Sequence, residues 1–492
     1  MKILLVYPQN PDTFWSFKHA LRFIFKKATN PPLGLLTAAA MLPDEWEKRL
    51  IDMNVRKLKD RDIEWADFVF ISAATIQKES VDEVITRCKA KGVKIVAGGP
   101  LFTSSYDEYE HVDYLVLNEA EITLPQFLDD LRQGKLRHIY TSPEWADLTK
   151  TPVPDWGLLK IKKYASMSIQ YSRGCPFDCD FCDIPLLYGH RPRIKDKQQV
   201  ITELQNLYDR GWRGVVFFVD DNFIGNKRGL KSEVLPAVAE WMERMKYPFT
   251  FLTQASVNLA DDEELMNLMV KANFNTVFVG IETPDEESLA ECGKLQNKNR
   301  NLVECVKKIQ RFGLQVQGGF IVGFDSDPLT IFERQIRFIQ NSGIVTAMVG
   351  LLSAVRGTKL YQRLKGENRL LTEATGDNTD CSINFVPKMQ YATLLEGYRN
   401  IVKTIYAPDQ FYARVKRFLE NYKPLHNSLG RLSMSEVKAF IMSIFVLGIK
   451  GKERFHYWRL FLWSVFSRPR LAPLAVTFAI YGYHFRKVFE KI

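Results

Sequence analysis

An apolar run long enough to span a bilayer is missing from this chain. Its two prominent apolar stretches, Ala439 to Ile449 and Leu471 to Phe485, both fall short of the roughly 20 residues that a membrane helix needs. A signal-peptide layout is missing too, because MKILLVYP is too short an apolar run and reads as a first strand. These absences speak against a spanning protein and predict a cytosolic one. Cysteine is scarce, seven in 492 residues, and Cys88, Cys292, Cys305 and Cys381 are scattered. That excludes a disulfide framework and suits a reducing compartment. Residues 1–400 have almost no net charge, −1, whereas the last 92 carry +11 from 16 Lys and Arg against 5 Asp and Glu. An anionic partner would therefore meet the C-terminal region first. No RNA-binding module or separate basic-aromatic groove can be identified, so nucleic acid is not the expected partner.

The other three cysteines stand together in YSRGCPFDCDFCDI, as Cys175, Cys179 and Cys182. Three thiolates in one short loop imply a metal. A C-x3-C-x2-C loop can wrap three corners of a [4Fe–4S] cube and leaves the fourth iron free to chelate a substrate or cofactor. The rival is a zinc knuckle with His190 as fourth ligand, which the asymmetric spacing fits poorly.

The spacing resembles that of the radical S-adenosylmethionine (SAM) superfamily, and Phe181 matches the aromatic those proteins usually carry before the last cysteine. The resemblance implies that the open iron binds the amino and carboxylate groups of SAM, and that one electron cleaves SAM to a 5′-deoxyadenosyl radical. It also implies an electron donor such as a flavodoxin or ferredoxin.

Residues 1–140 alternate short apolar runs, KILLVYP, KRLIDMN, FVFISAA, KIVAGGP and YLVLNEA, with helical stretches. This predicts a parallel α/β sheet, whose ligands bind beyond the strand C-termini. Those ends carry Pro8, Ser72, Gly98-Gly99-Pro100 and Asn118-Glu119-Ala120-Glu121. Together with Pro31-Pro32-Leu33-Gly34-Leu35, they resemble the cobalamin-binding domain of one superfamily branch. The resemblance implies a flavodoxin-like (Rossmann-like) fold with Ser72, Gly98, Gly99, Asn118 and Glu119 at the cobalamin site. The D-x-H-x-x-G motif with its cobalt-ligating histidine is absent; Asp52-Met53-Asn54-Val55-Arg56-Lys57 stands there instead. A flavodoxin-like domain that has lost the cofactor is the alternative.

Residues 141–165, with Pro143, Pro152 and Pro154, read as a linker. From 166 to 385, SMSIQYS, GVVFFVDD, TFLTQAS, NTVFVGIET, LQVQGGFIVGF and TAMVGLLSA make six β/α units, a partial (β/α)6 TIM-type barrel with the cysteine loop after its first strand. Polar residues recur at the strand ends, where carboxylates, amides and glycines can hold SAM. The candidates are Asp220, Asp221, Gln254, Gly280 and Glu282, with Gly319, Ile321 and Gly323 in the strand that the resemblance aligns with adenine. Lys294 belongs to the unit containing Gly280 and Glu282. Arg356, in place of a frequent proline, is read either as a contact to an anionic group or as a surface arginine.

Residues 386–492 form a helical, basic and aromatic extension. Short apolar faces framed by cations, with FHYWRLFLWSVF between them, suit helices lying in a headgroup layer; the alternative is a subdomain packed on the barrel. Over most of its length the chain resembles the hopanoid C-2 methylase subgroup of cobalamin-binding radical SAM enzymes. That implies methylation of an unactivated carbon: the deoxyadenosyl radical abstracts hydrogen and methylcobalamin delivers the methyl group, with a lipid-like substrate reached from a membrane surface. Two alternatives remain: radical ring or C–C bond formation without methyl transfer, and a non-catalytic redox or cobalamin sensor docked at a membrane.

Overall fold

The computed structural model describes residues 1–377, 379–424 and 434–490. Runs rich in β-branched and aromatic residues become parallel strands because helices cover them on both sides. In the N-terminal part these are β1 (Lys2–Tyr7), β2 (Glu47–Asp52), β3 (Phe68–Ser72), β4 (Lys94–Gly98), β5 (Tyr114–Val116) and β6 (Ile139–Tyr140). They form one parallel sheet in the order β2-β1-β3-β4-β5-β6. The order is flavodoxin-like, and its switch point lies between β1 and β3. β6 is unannounced by the sequence, because two residues cannot show alternation.

The second sheet begins with β7 (Ser166–Ile169). A short antiparallel pair, β8 (Ser172–Arg173) and β9 (Arg193–Ile194), brackets the cysteine loop. Then come β10 (Gly214–Phe218), β11 (Phe249–Gln254), β12 (Phe274–Glu282), β13 (Gln315–Val322) and β14 (Ala347–Leu351). The parallel order β14-β13-β12-β11-β10-β7 is that of a partial barrel with β7 and β14 as its edges. Burial alternates along the strands. Phe218, Phe251, Val277, Val279 and Phe320 are buried beneath the helices, whereas Phe217, Leu252, Gln254, Phe278, Gln317 and Ile321 are only half-buried. The inner face therefore lines an accessible lumen.

A strap from the N-terminal part crosses the open side of this barrel. At one end Phe14 stacks on Phe485, ring centroids 4.2 Å apart, and lies 6.3 Å from Tyr406. The Tyr406 hydroxyl donates to Ala347 O of β14 at 2.7 Å. At the other end Ser166 of β7 donates through its backbone N–H to Thr29 O at 2.9 Å. Phe14, Ala20 and Phe23 thus belong to the barrel core, although the sequence groups them with the first domain. The 141–165 segment is likewise fastened down, since Trp156 is buried in the same core.

The C-terminal helices split the sequence expectation in two. The helix Ala472–Phe489 buries Ala475, Phe478, Ala479 and Phe485, so the Leu471–Phe485 stretch is a core element and not an interfacial helix. It is apolar on most of its circumference, which only burial accommodates. The Ala439–Ile449 stretch behaves differently, with Ile441, Phe445 and Ile449 each more than half exposed. Phe455, Leu462 and Phe466 of the helix Arg454–Ser467 are also exposed. No helix among the described residues is long and apolar enough to cross a membrane.

Candidate functional site

Two glycines shape the cysteine loop. Gly174 has φ +94°, and a Cβ there would lie 2.8 Å from Gly189 O and 3.0 Å from Arg191 O. Its neighbour Cys175 donates its N–H to Gly189 O at 3.2 Å. Gly293, at φ +69°, lets the far side of the loop settle, since a Cβ there would stand 3.0 Å from Asp178 O. Asp180 N–H then donates to Cys292 O at 3.0 Å, and Leu360 N–H to Asp180 O at 2.9 Å.

Cys175, Cys179 and Cys182 are free thiols. Burial pushes all three pKa values up, while the Lys294 charge pulls each of them down. Gln296 Nε2 stands 4.0 Å from Cys179 Sγ. Among the described residues no group of three or more His, Cys, Asp and Glu is drawn close enough to share one metal ion. His190 pairs instead with Asp178, 3.9 Å away. The donor set fits a [4Fe–4S] cluster, whose thiolates sit at separate corners and take such N–H···S contacts.

Beside the loop, Glu282 ends β12 in a left-handed conformation, φ +63°. Its Oε1 lies 2.7 Å from Lys294 Nζ, and both side chains are largely buried. Burial opposes the lysine charge, but Glu282 and the nearby cysteines more than offset it and hold the pKa above the ordinary value. Strain of this kind in a non-glycine residue gathers at functional sites. Gly280 leaves room for the pair, because a Cβ there would lie 2.8 Å from Lys294 Nζ and collide with the carboxylate. Gly319 faces Gly280 in register across β12 and β13. Ile321 is half-buried on the same inner face. Gly323 has φ +109° and donates its N–H to Asp327 at 2.8 Å, and the Phe181 ring lies 6.3 Å from Phe324. The structure thus brings Gly280, Glu282, Gly319 and Ile321 to one rim next to the cysteines. Gln254 lies in a deeper row, level with Phe278.

Asp220 is a correction to the expected SAM set. Wholly buried, it accepts the Tyr171 amide at 3.2 Å, the Ser172 hydroxyl at 2.6 Å and the Ser172 amide. Burial pushes its carboxyl up to about 7 against the pull of these bonds. Its role is to staple the approach to the cysteine loop. Asp221 accepts the Gly174 amide at 3.2 Å and supports the same turn.

Glu119 is a second correction. Its side chain is 1% exposed, and its oxygens are taken by Arg173 at 2.9 Å, Arg193 at 2.8 Å and the Ala146 amide at 2.7 Å. Nothing remains for a cobalamin contact. Glu121, 2.6 Å from Arg173, completes a buried cluster of two arginines and two glutamates between the two sheets. Asn118, at φ +60°, accepts the Thr141 hydroxyl at 2.6 Å. Arg356 forms a two-pronged pair with Asp107 of the first sheet's unit, at 2.9 and 2.6 Å.

Ser72, Gly98 and Gly99 sit together at the C-terminal edge of β3 and β4. A Cβ on Gly98 would lie 2.6 Å from Val116 O, and one on Gly99 2.8 Å from Ser72 Oγ. This small-residue edge, one strand along from the switch point, fits a large planar cofactor. Asn54, standing where the motif has its histidine, has its side chain engaged: its Nδ2 donates to Asp52 at 2.9 Å and to Pro8 O at 3.3 Å, and its Oδ1 accepts the Asn10 amide. The Asp52 carboxylate in turn accepts the Tyr164 hydroxyl at 2.9 Å.

The sequence reading named Glu121 within its strand-end run but passed over its partners Arg173 and Arg193. Two glutamates beside the end of a buried strand require counter-cations, and that was the available signal.

Residues 27–128 match the B12 binding domain, residues 169–339 the radical SAM superfamily, and residues 358–492 a domain of unknown function, DUF4070. An uncharacterized methyltransferase of Synechocystis sp. is 42% identical over 99% of this chain and 91% of its own length. The hopanoid C-2 methylase of Rhodopseudomonas palustris is 34% identical over 93% of this chain and 88% of its own. The cobalamin-dependent SAM radical enzyme OxsB superposes with a TM-score of 0.62 at 13% identity, covering 100% of this chain and 84% of that one. At such identity the likeness is one of fold. Sequence, cysteine loop and paired sheets agree, and the chain belongs to the B12-binding radical SAM family.

Proposed function

We propose that this cobalamin-dependent radical SAM methyltransferase methylates an unactivated carbon of a lipid of the polyisoprenoid type. The observation that carries the reading is the buried Arg173–Glu119–Arg193–Glu121 cluster, which locks the cysteine loop against the C-terminal edge of the first sheet. Two cofactor sites are thereby held face to face. When bound, the cluster and SAM supply the hydrogen-abstracting radical, and cobalamin supplies the methyl group.

The chain's own residues prepare the ground. Cys175, Cys179 and Cys182 hold iron, and Lys294 balances thiolate charge. Gly280 and Gly319 let the SAM adenosyl part approach the rim, beside Glu282 and Ile321. Ser72, Gly98 and Gly99 leave space for the corrin. The strap and the last helix keep bulk water from the barrel's open side.

The lipid part of the reading rests on the exposed Ile441, Phe445, Ile449, Phe455, Leu462 and Phe466. Lys450 Nζ stands 4.6 Å over the Phe445 ring, and Lys438 Nζ 6.0 Å over that of exposed Phe25. Apolar side chains framed by cations suit an anionic membrane surface.

The test is anaerobic reconstitution with SAM, cobalamin, a reduced flavodoxin or ferredoxin, and polycyclic isoprenoid lipids. A lipid heavier by one CH2 is expected. Loss of two hydrogens would point instead to ring or C–C bond formation. No 5′-deoxyadenosine, with the cluster shown intact by spectroscopy, would overturn the enzymatic reading.

A further inference from the structure

One side chain of the strap points where the proposed chemistry needs a wall. The Trp15 indole meets the Phe278 ring edge to face, centroids 5.4 Å apart. Phe278 lies on the inner face of β12, half-buried, and its ring is 2.8 Å from where a Gly319 Cβ would stand. In register beside it are Gln254 on β11 and Gln317 on β13, with side chains on the same face. Among the described residues neither amide side chain makes a hydrogen bond, and both are half-buried. This row lies two residues deeper than Gly280 and Gly319, about 7 Å along the strands.

Two aromatic rings with two unspent amides, in an accessible lumen beneath the SAM rim, make a binding surface of definite chemistry. Aromatic rings pack well on an apolar carbon skeleton. Idle amides in a half-buried row are costly unless a ligand or water takes their bonds. The wall is held from behind: His484 Nε2 lies 2.9 Å from Phe14 O, and Phe14 is fully buried. It is also backbone-strained, because Phe17, two residues on, has φ +47°. A bulky residue keeps that conformation only where its surroundings impose it.

We propose that Trp15 is a specificity-determining residue of the substrate chamber. Its indole and the Phe278 ring hold the apolar ring system of the substrate, and the Gln254 and Gln317 amides orient a hydroxyl or carbonyl on it. The proposal rests on the lipid reading above and assigns Gln254 to substrate, not to SAM. It makes the N-terminal strap a part of substrate recognition.

The test uses the full-length, cluster-loaded protein with SAM and a diazirine-bearing tetracyclic alcohol as photoprobe. Adducts are expected on the strap peptide carrying Trp15 and on the β12 peptide carrying Phe278, and the unlabelled alcohol should compete them away. Trp15→Ala should weaken half-saturation by about tenfold, as expected for an aromatic wall worth about 1.4 kcal/mol. Trp15→Phe, which keeps a ring and guards against misfolding, should stay within about threefold of the parent. Competable adducts confined to other peptides, or unchanged half-saturation in Trp15→Ala, would overturn the proposal. The two readings fail separately. Methylated lipid without labelling at Trp15 or Phe278 sinks the chamber and leaves methylation standing. Labelling there, with no lipid gaining CH2, supports the chamber and counts against methylation of that lipid.

Discussion

Arg173 grips Glu121 with both arms of its guanidinium, at 2.6 and 3.0 Å, two residues before the first cysteine of the loop. The same nitrogen that makes the longer bond also reaches Glu119 at 2.9 Å. One residue thus ties the cluster loop to the end of the first sheet. Burial raises the Glu121 pKa, but the arginine outweighs it and leaves the carboxyl below its ordinary value. Arg173→Ala would strand the buried Glu121 carboxylate and leave Glu119 with Arg193 alone, and should destabilise the protein by about 3–5 kcal/mol. Chemical unfolding measures this. Iron bound after reconstitution should fall with it, whereas pairing Arg173→Met with Glu121→Gln should restore part of the stability.

Gly174→Ala should abolish cluster loading more than it lowers stability. The added Cβ meets the carbonyls of Tyr188, Gly189 and Arg191, all within 3.0 Å, at φ +94°. Iron content and the visible absorption of the reconstituted protein are the readouts, and a fully loaded variant would count against the turn's role.

Lys294→Met removes the one cation shared by the three thiols and leaves Glu282 buried without its partner. The cluster's reduction potential should move negative, because a nearby positive charge favours the reduced form. Redox titration followed by EPR reads the shift. 5′-Deoxyadenosine formation should fall at least about tenfold, on the scale of losing a buried charge partner.

Asp325 offers a pH test away from the cluster. Burial raises its pKa, but bonds from Arg369 at 2.6 Å and Arg363 at 2.8 Å hold it far below the carboxylate range. A depressed pKa contributes stability that is present above the unfolded value, near 4, and lost as pH falls toward the folded one. Asp325→Asn should therefore destabilise at pH 7, and the difference from wild type should shrink as pH drops below about 4. Urea unfolding at both pH values decides it.

On the C-terminal face, changing Ile441, Phe445 and Phe466 together to Ser should cut recovery with anionic liposomes in flotation and leave the melting temperature nearly unchanged, since all three are exposed. Phe478→Ser, at a fully buried site, should instead cost about 3–5 kcal/mol.

The longer strands were readable as runs of apolar, β-branched or aromatic residues bounded by turn residues, as in Phe68–Ser72 and Phe274–Glu282, whereas the two-residue strands β6, β8 and β9 were not. The three cysteines were readable because their chemistry lies in local spacing. Asp220 and Glu119 were misread for a shared reason: a strand-end acid looks the same whether it faces a cofactor or a neighbouring loop amide, and only tertiary contacts separate the two. The last helix misled similarly, since an apolar stretch between cations describes a membrane-surface helix and a core helix equally well. Trp15 and Phe278 were out of reach, being 263 positions apart. The aromatic density of FWSFKHALRFIF was the only sign that this segment would be buried.

The stacking of Phe14 on Phe485 joins positions 471 residues apart. A contact that long-range can form only after residue 485 has left the ribosome. Until then the anchor that seats the strap across β7 and β14 is missing, and the barrel seam stands open. Synthesis order thus leaves the strap without this anchor until the last helix is made, and loss of that helix alone would take from Phe14 the ring it stacks on.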